Sequence, residues 1–150
     1  MRRTHRLARI RDLARHREDE LLRNLGRLQA ALAEEERRLR ELRDYQREYG
    51  TRFADLGGRG MPAATAADYV RFLGRLDTAL REQEARVEAA RAAQREAYSQ
   101  WRASQRRRES LDKLTQRAHR LERRRADRRS QAETDEHAAF LGRARPGRDP

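Results

Sequence analysis

At 150 residues, with 41 % charged and 36 % hydrophobic side chains, the chain is too polar for a globular core of ordinary size. It has no cysteine, which excludes disulfides and thiolate metal sites, and no window approaches the roughly 18 apolar residues of a membrane span. The net charge of +12 points to an acidic partner. Disorder and long helices that bury a narrow stripe both fit this composition. Ala, Leu, Arg, Glu and Gln dominate and Pro62 is the one proline before residue 146, which favours helices.

The N-terminal "MRRTHRLARIRDLARHRED" has the charge of a signal peptide without its apolar stretch, so a soluble cytoplasmic protein is expected. The first helix is expected over about 5–56. Leu21, Leu25, Leu28, Leu32, Glu35, Leu39, Leu42, Gln46, Tyr49, Phe53 and Leu56 alternate steps of four and three, which keeps one seam on a helix. Upstream, Leu7, Ile10, Ala14, Arg17 and Leu21 follow the same spacing in a shifted frame, which predicts a stutter at 17–21–25.

A hinge is expected at 57–64. Gly57 and Gly58 suit a left-handed helix end, Pro62 prevents continuation, and Thr65 with Asp68 resembles a capping box. The second helix, about 65–140, carries the seam Tyr69, Leu73, Leu76, Leu80, Gln83, Val87, Ala90, Gln94, Ala97 and Trp101. It weakens at Ser104 and Arg108 and is expected to resume through Leu111, Leu114, Ala118 and Leu121 in a shifted frame. A short connection between amphipathic helices implies antiparallel neighbours. The fold class is therefore all-α: a single coiled-coil hairpin domain, second helix longer, with a flexible basic tail at 141–150. Folding at residue 60 or 61 pairs positions summing to about 121, levels Tyr49 with Phe72, and leaves the second helix without a partner beyond about residue 117.

Residues 101–130 hold twelve Lys/Arg and four acids, against seven of each in 31–60. Such a basic block suits a protein surface, RNA or lipid headgroups; it also serves simply to keep an exposed helix in solution. No catalytic constellation is evident. His5, His16, His119 and His137 lack partners at metal-ligand spacing, "GGRG" is a turn rather than a phosphate loop, and a hairpin has no concave site. Neither an enzymatic activity nor a cofactor or metal is expected.

Two tyrosines four positions apart in "LRDYQREYG" stand out in a chain with only eight aromatic residues. With Leu42 and Tyr49 at heptad position d, Tyr45 falls at g, beside the seam. In the second helix Tyr69 and Leu76 are d, Leu73 is a, and Phe72 and Ala79 are g. Antiparallel pairing puts the g positions of both helices on one side. Tyr45 and Phe72 should therefore share a face with Tyr49, Leu42 and Leu76 between them, edged by Arg38, Arg52 and Gln83. Such a patch suits a partner surface. The alternative is that the long aromatic side chains only fold over the seam and widen it.

The order Tyr-Gln-x-Glu-Tyr, Gly-rich hinge, "DYVRFLGRLDTALREQ" and then "QWRASQRRRESLDKL" resembles the flagellar export protein FliJ family over roughly residues 5 to 140. The resemblance implies a non-enzymatic, cytoplasmic component of the flagellar type III export apparatus, peripherally associated with the inner membrane at the flagellar base. It implies an antiparallel coiled coil similar to the central stalk of rotary ATP synthases. The implied partners are the flagellar export ATPase, the cytoplasmic region of the export gate and export chaperones, with no specific nucleic acid and no membrane span. By the family pattern, the gate-facing residues correspond to Leu42, Tyr45, Tyr49, Phe72, Leu76 and Ala79. Arg38 and Gln83 depart from it, standing where the family can carry an uncharged amide and a histidine. If the end opposite the hinge enters the ATPase ring, Arg106, Arg107 and Arg108 are its candidate contacts. The other class of reading is an arginine-rich coiled coil binding RNA or ribosomes through residues 102–129, with steep salt dependence.

Overall fold

The structure, a computed structural model, describes residues 2–144. Two helices account for nearly all of them: α1, Arg2–Gly58, and α2, Ala63–Ala144. They pack against one another as a helical hairpin, the second longer, with no strand among the described residues. Both helices exceed the expected bounds, α1 by running on through Gly57 and Gly58 and α2 by starting at Ala63 and ending at Ala144. Residues 141–144 of the expected flexible tail are helical; the rest of that tail, 145–150, lies outside the described residues.

The hinge differs from expectation by two or three residues. Helical geometry continues through Gly57 and Gly58, and Gly60 is the residue with positive φ, at 87°. The Arg59 and Gly60 amides donate to the Leu56 and Gly57 carbonyls at 3.2 and 3.4 Å, so the last turn tightens to i→i+3 bonds that use up terminal carbonyls. On the other side the Ala66 amide donates to the Pro62 carbonyl at 3.0 Å, so Pro62 is the cap residue of α2. Proline suits a helix start because an amide there has no intrahelical acceptor. Thr65 thus falls inside the first turn, and there is no Thr65–Asp68 capping box; Asp68 instead accepts from Arg71 at 3.0 Å.

The chain divides into two units, Glu18–Ser104 (the hinge unit) and Met1–Arg17 with Gln105–Pro150 (the terminal unit). In the hinge unit the core is the anticipated seam. Leu21, Leu25, Leu39, Leu76, Leu80, Val87 and Ala97 are buried, and Leu32 and Leu42 pack onto Leu39, Leu80 and Val87. Burying a leucine or valine side chain is worth about 1.5–3 kcal/mol, so this short list supplies most of the drive for pairing. Gln83, also buried, donates its amide to the Glu35 carbonyl at 3.0 Å and to the Glu35 carboxylate. That cross-helix contact satisfies a polar side chain inside the seam and favours one register.

The terminal unit departs from the apolar pattern. The buried positions are Thr4 and Thr115, with Leu7, Arg11, Ala14, Leu111 and Ala118 half-buried, whereas Ile10, Leu114 and Leu121 are exposed. On α1 this frame (4, 7, 11, 14) is the one that Glu18, Leu21 and Leu25 continue, so the stutter expected at 17–21–25 is absent. On α2 the inward residues are Leu111, Thr115, Ala118 and Glu122, with no shift of frame after Trp101. Several polar side chains here find partners, although the buried Arg11 Nε has none. Thr4 Oγ1 donates to Glu122 at 2.6 Å, Thr115 Oγ1 to the Leu111 carbonyl at 2.8 Å, and Arg108 pairs with Asp112 at 3.0 Å. The Thr4 bond also shows that α2 is partnered to residue 122, past the expected limit of 117. From Arg123 to Ala144 every residue is exposed.

Candidate functional site

Helix periodicity brings the tyrosines of "LRDYQREYG" together, since residues four apart on α1 are neighbours. The Tyr45 and Tyr49 rings stack with centroids 6.1 Å apart and planes 21° from parallel. Antiparallel pairing then brings Phe72 of α2 to 4.8 Å from Tyr49, tilted by 55°. Both separations lie within the range of favourable offset and tilted aromatic pairs. The Arg52 guanidinium sits 5.4 Å from the Tyr49 ring centroid, in cation–π range, while also donating to Glu48 at 2.8 Å. Nearer the hinge, Phe53 and Tyr69 make a further pair at 5.8 Å.

The six residues named from sequence have graded roles. Tyr45 is 53 % exposed and Phe72 39 %, so these two present ring surface to solvent. Leu42, Tyr49 and Ala79 are half-buried, and Leu76 is buried beneath them. Ring contacts join Tyr45, Tyr49 and Phe72, Leu42 packs on Leu39, Leu80 and Val87, and Leu76, being buried, presents no surface. Arg38 borders it through ion pairs with Glu34 at 3.3 Å and Glu35 at 3.9 Å. Gln83 is no part of the accessible edge, because its amide is committed to Glu35 in the seam. Val70 and Leu56, 58 and 40 % exposed, add apolar surface near the hinge. Sequence reasoning missed Val70, since a single apolar residue outside the seam carries no periodic signal.

The three arginines of the second candidate set separate. Arg106 and Arg107 are exposed, whereas Arg108 is half-buried in the seam and bound to Asp112. Asp112 also accepts from Arg15 of α1 at 3.5 Å. Among the described residues no three His, Asp or Glu converge on a possible metal position, and no helix is long and apolar enough to cross a membrane.

These features define an all-helical hairpin with an aromatic patch beside its seam and a strongly basic terminal unit. The family model described as flagellar FliJ protein matches residues 3–147, and the chain belongs to that family. It is accordingly a component of flagellar protein export. No curated protein and no solved structure matches the chain.

Proposed function

We propose that this chain is a non-catalytic, stalk-like coiled coil of the type III export apparatus, linking the export ATPase ring to the membrane export gate. In this reading the Tyr45–Tyr49–Phe72 face docks on the cytoplasmic region of the gate. Arginines of the terminal unit meet acidic or polar groups of the ATPase, export chaperones are delivered along the same route, and the protein sits peripherally at the inner membrane. The observation that carries the reading is the solvent-facing aromatic ladder: Tyr49 contacts the rings of both Tyr45 and Phe72, which are exposed, in a chain otherwise poor in aromatics. Tyrosine and phenylalanine are favoured at the centres of protein interfaces, where truncation of an anchor costs about 2 kcal/mol or more, roughly thirtyfold in affinity.

The double variant Tyr45→Ala, Phe72→Ala should lose gate affinity by at least that factor while keeping its circular dichroism and its ATPase contact. Gate binding at parental strength would end the assignment of the patch. In the terminal unit, Arg106→Glu with Arg107→Glu is the informative pair, because Arg108 is engaged in packing. This variant should weaken ATPase binding at unchanged helicity; retained ATPase binding with RNA affinity lost would favour an RNA-binding role for the basic segment instead.

A further inference from the structure

The hinge unit holds sixteen Lys/Arg and sixteen Asp/Glu, so the net charge of +12 resides entirely in residues 1–17 and 105–150. That same terminal unit turns aliphatic side chains outward. Ile10, Leu114 and Leu121 are 36, 47 and 53 % exposed, and all three hold the heptad position that Tyr45 and Phe72 hold in the hinge unit. Leu114 and Leu121, two turns apart, form with Leu7 and Ala118 the floor of a groove of about 370 Å³. Arg3, Arg117 and Arg125 line its margin, and none of them pairs with a carboxylate among the described residues. The one acid in the lining, Glu122, is engaged by the Thr4 hydroxyl at 2.6 Å.

We infer that this groove receives an amphipathic α-helix of a partner protein, aliphatic on one face and acidic along its flanks. Leu114 and Leu121 are separated by roughly 10 Å along α2, the spacing of residues i and i+7 on an incoming helix, which is the register of helix-in-groove recognition. The unpaired arginines on the margin select acidic flanks. Other occupants fit less well. A second copy of this chain brings a unit of the same sign and high charge. Nucleic acid satisfies the arginines but leaves the leucine floor in water. A bilayer surface calls for a broad apolar face of large side chains, and here the apolar floor is a narrow strip of Leu7, Leu114, Ala118 and Leu121 between arginines. The inference does not rest on the export reading above, and it involves neither the aromatic patch nor Arg106 and Arg107.

The test uses the full chain and a fluorescein-labelled synthetic helix of about 20 residues, with leucine at i, i+3, i+4 and i+7 and glutamate on both flanks. Anisotropy should show saturable binding of one peptide per chain. Leu114→Ser with Leu121→Ser should weaken it at least about tenfold, and charge reversal at Arg3, Arg117 and Arg125 should weaken it further. Both leucines are half in water, so circular dichroism of the variant should match the parent. A scrambled peptide of identical composition should bind much more weakly. The inference is overturned if the peptide does not bind, if the scrambled peptide binds equally, or if the leucine variant binds unchanged. It is likewise overturned if the leucine variant abolishes self-association, or binding to anionic vesicles or RNA, while leaving the peptide affinity intact.

Discussion

Tyr45 keeps about half of its surface in water, so its packing contribution is small. Tyr45→Ala should cost at most about 1–2 kcal/mol in urea unfolding, whereas Leu80→Ala, at a position 4 % exposed, should cost about 2–5 kcal/mol. The opposite ranking would mean that the tyrosine is core. A second residue-scale test concerns Glu34. A hydrogen bond from Arg37 outweighs the opposing desolvation and, with the charges of Arg37 and Arg38, lowers its carboxyl from 4.5 to about 2. A carboxyl depressed in the folded state stabilises the fold above its unfolded pKa and loses that contribution as pH falls through the folded value. The contribution is therefore full above about pH 4.5 and fades between there and about pH 2. Because Glu34 and Arg37 are 43 and 50 % exposed, solvent screens the pair and the effect on stability is small. Carboxyl-detected NMR titration should nevertheless find Glu34 well below the ordinary carboxylate range, and Arg37→Ala should return it toward that range.

At the scale of the elements, the turn and the end of α2 are the informative places. Gly60 has φ of 87°, and a Cβ built there meets nothing within 4 Å, so any cost of Gly60→Ala is conformational rather than steric crowding. We expect about 1–2 kcal/mol of destabilisation by thermal unfolding, and none for Gly57→Ala or Gly58→Ala, which lie in helical geometry. From Arg123 to Ala144 α2 buries no side chain and carries local contacts such as Gln131–Asp135 at 3.1 Å. A helical stretch of this length without a tertiary partner is marginal in water. Hydrogen exchange should therefore show amides of 123–144 with the least protection and those around Leu76–Ala97 with the most; uniform protection along α2 would contradict this account.

For the whole molecule, the two units differ in what holds them. The hinge unit buries all seven of the fully withdrawn hydrophobic side chains and is charge-neutral; the terminal unit buries threonines and carries the net charge. Melting should accordingly proceed in two steps, the terminal unit first, with a calorimetric enthalpy larger than the van't Hoff value. Adding salt should raise the first step by screening self-repulsion and leave the second nearly unchanged. A single transition, coincident by all probes and indifferent to salt, would show instead that the units are energetically one.

Periodicity by itself was enough for the helical hairpin, the place of the hinge and the aromatic neighbourhood. Heptad spacing sets which residues share a helix face, and a Gly-Pro stretch stops a helix wherever it occurs. The patch was legible because Tyr45 and Phe72 are large aromatics at a flanking position, a combination that spacing alone reveals. Tertiary pairing decided the rest. In the terminal unit the inward residues fall on the same heptad positions as Leu21, Leu25, Leu80 and Val87, with no shift of frame. Reading apolar residues alone moved the seam to Ile10, Leu114 and Leu121; the structure keeps it on Thr4, Arg11, Thr115 and Glu122. The Thr4 hydroxyl becomes an interior group because the opposite helix supplies its hydrogen-bond partner, Glu122, at a sequence separation of 118. That partner is a property of the pairing, and no local pattern encodes it.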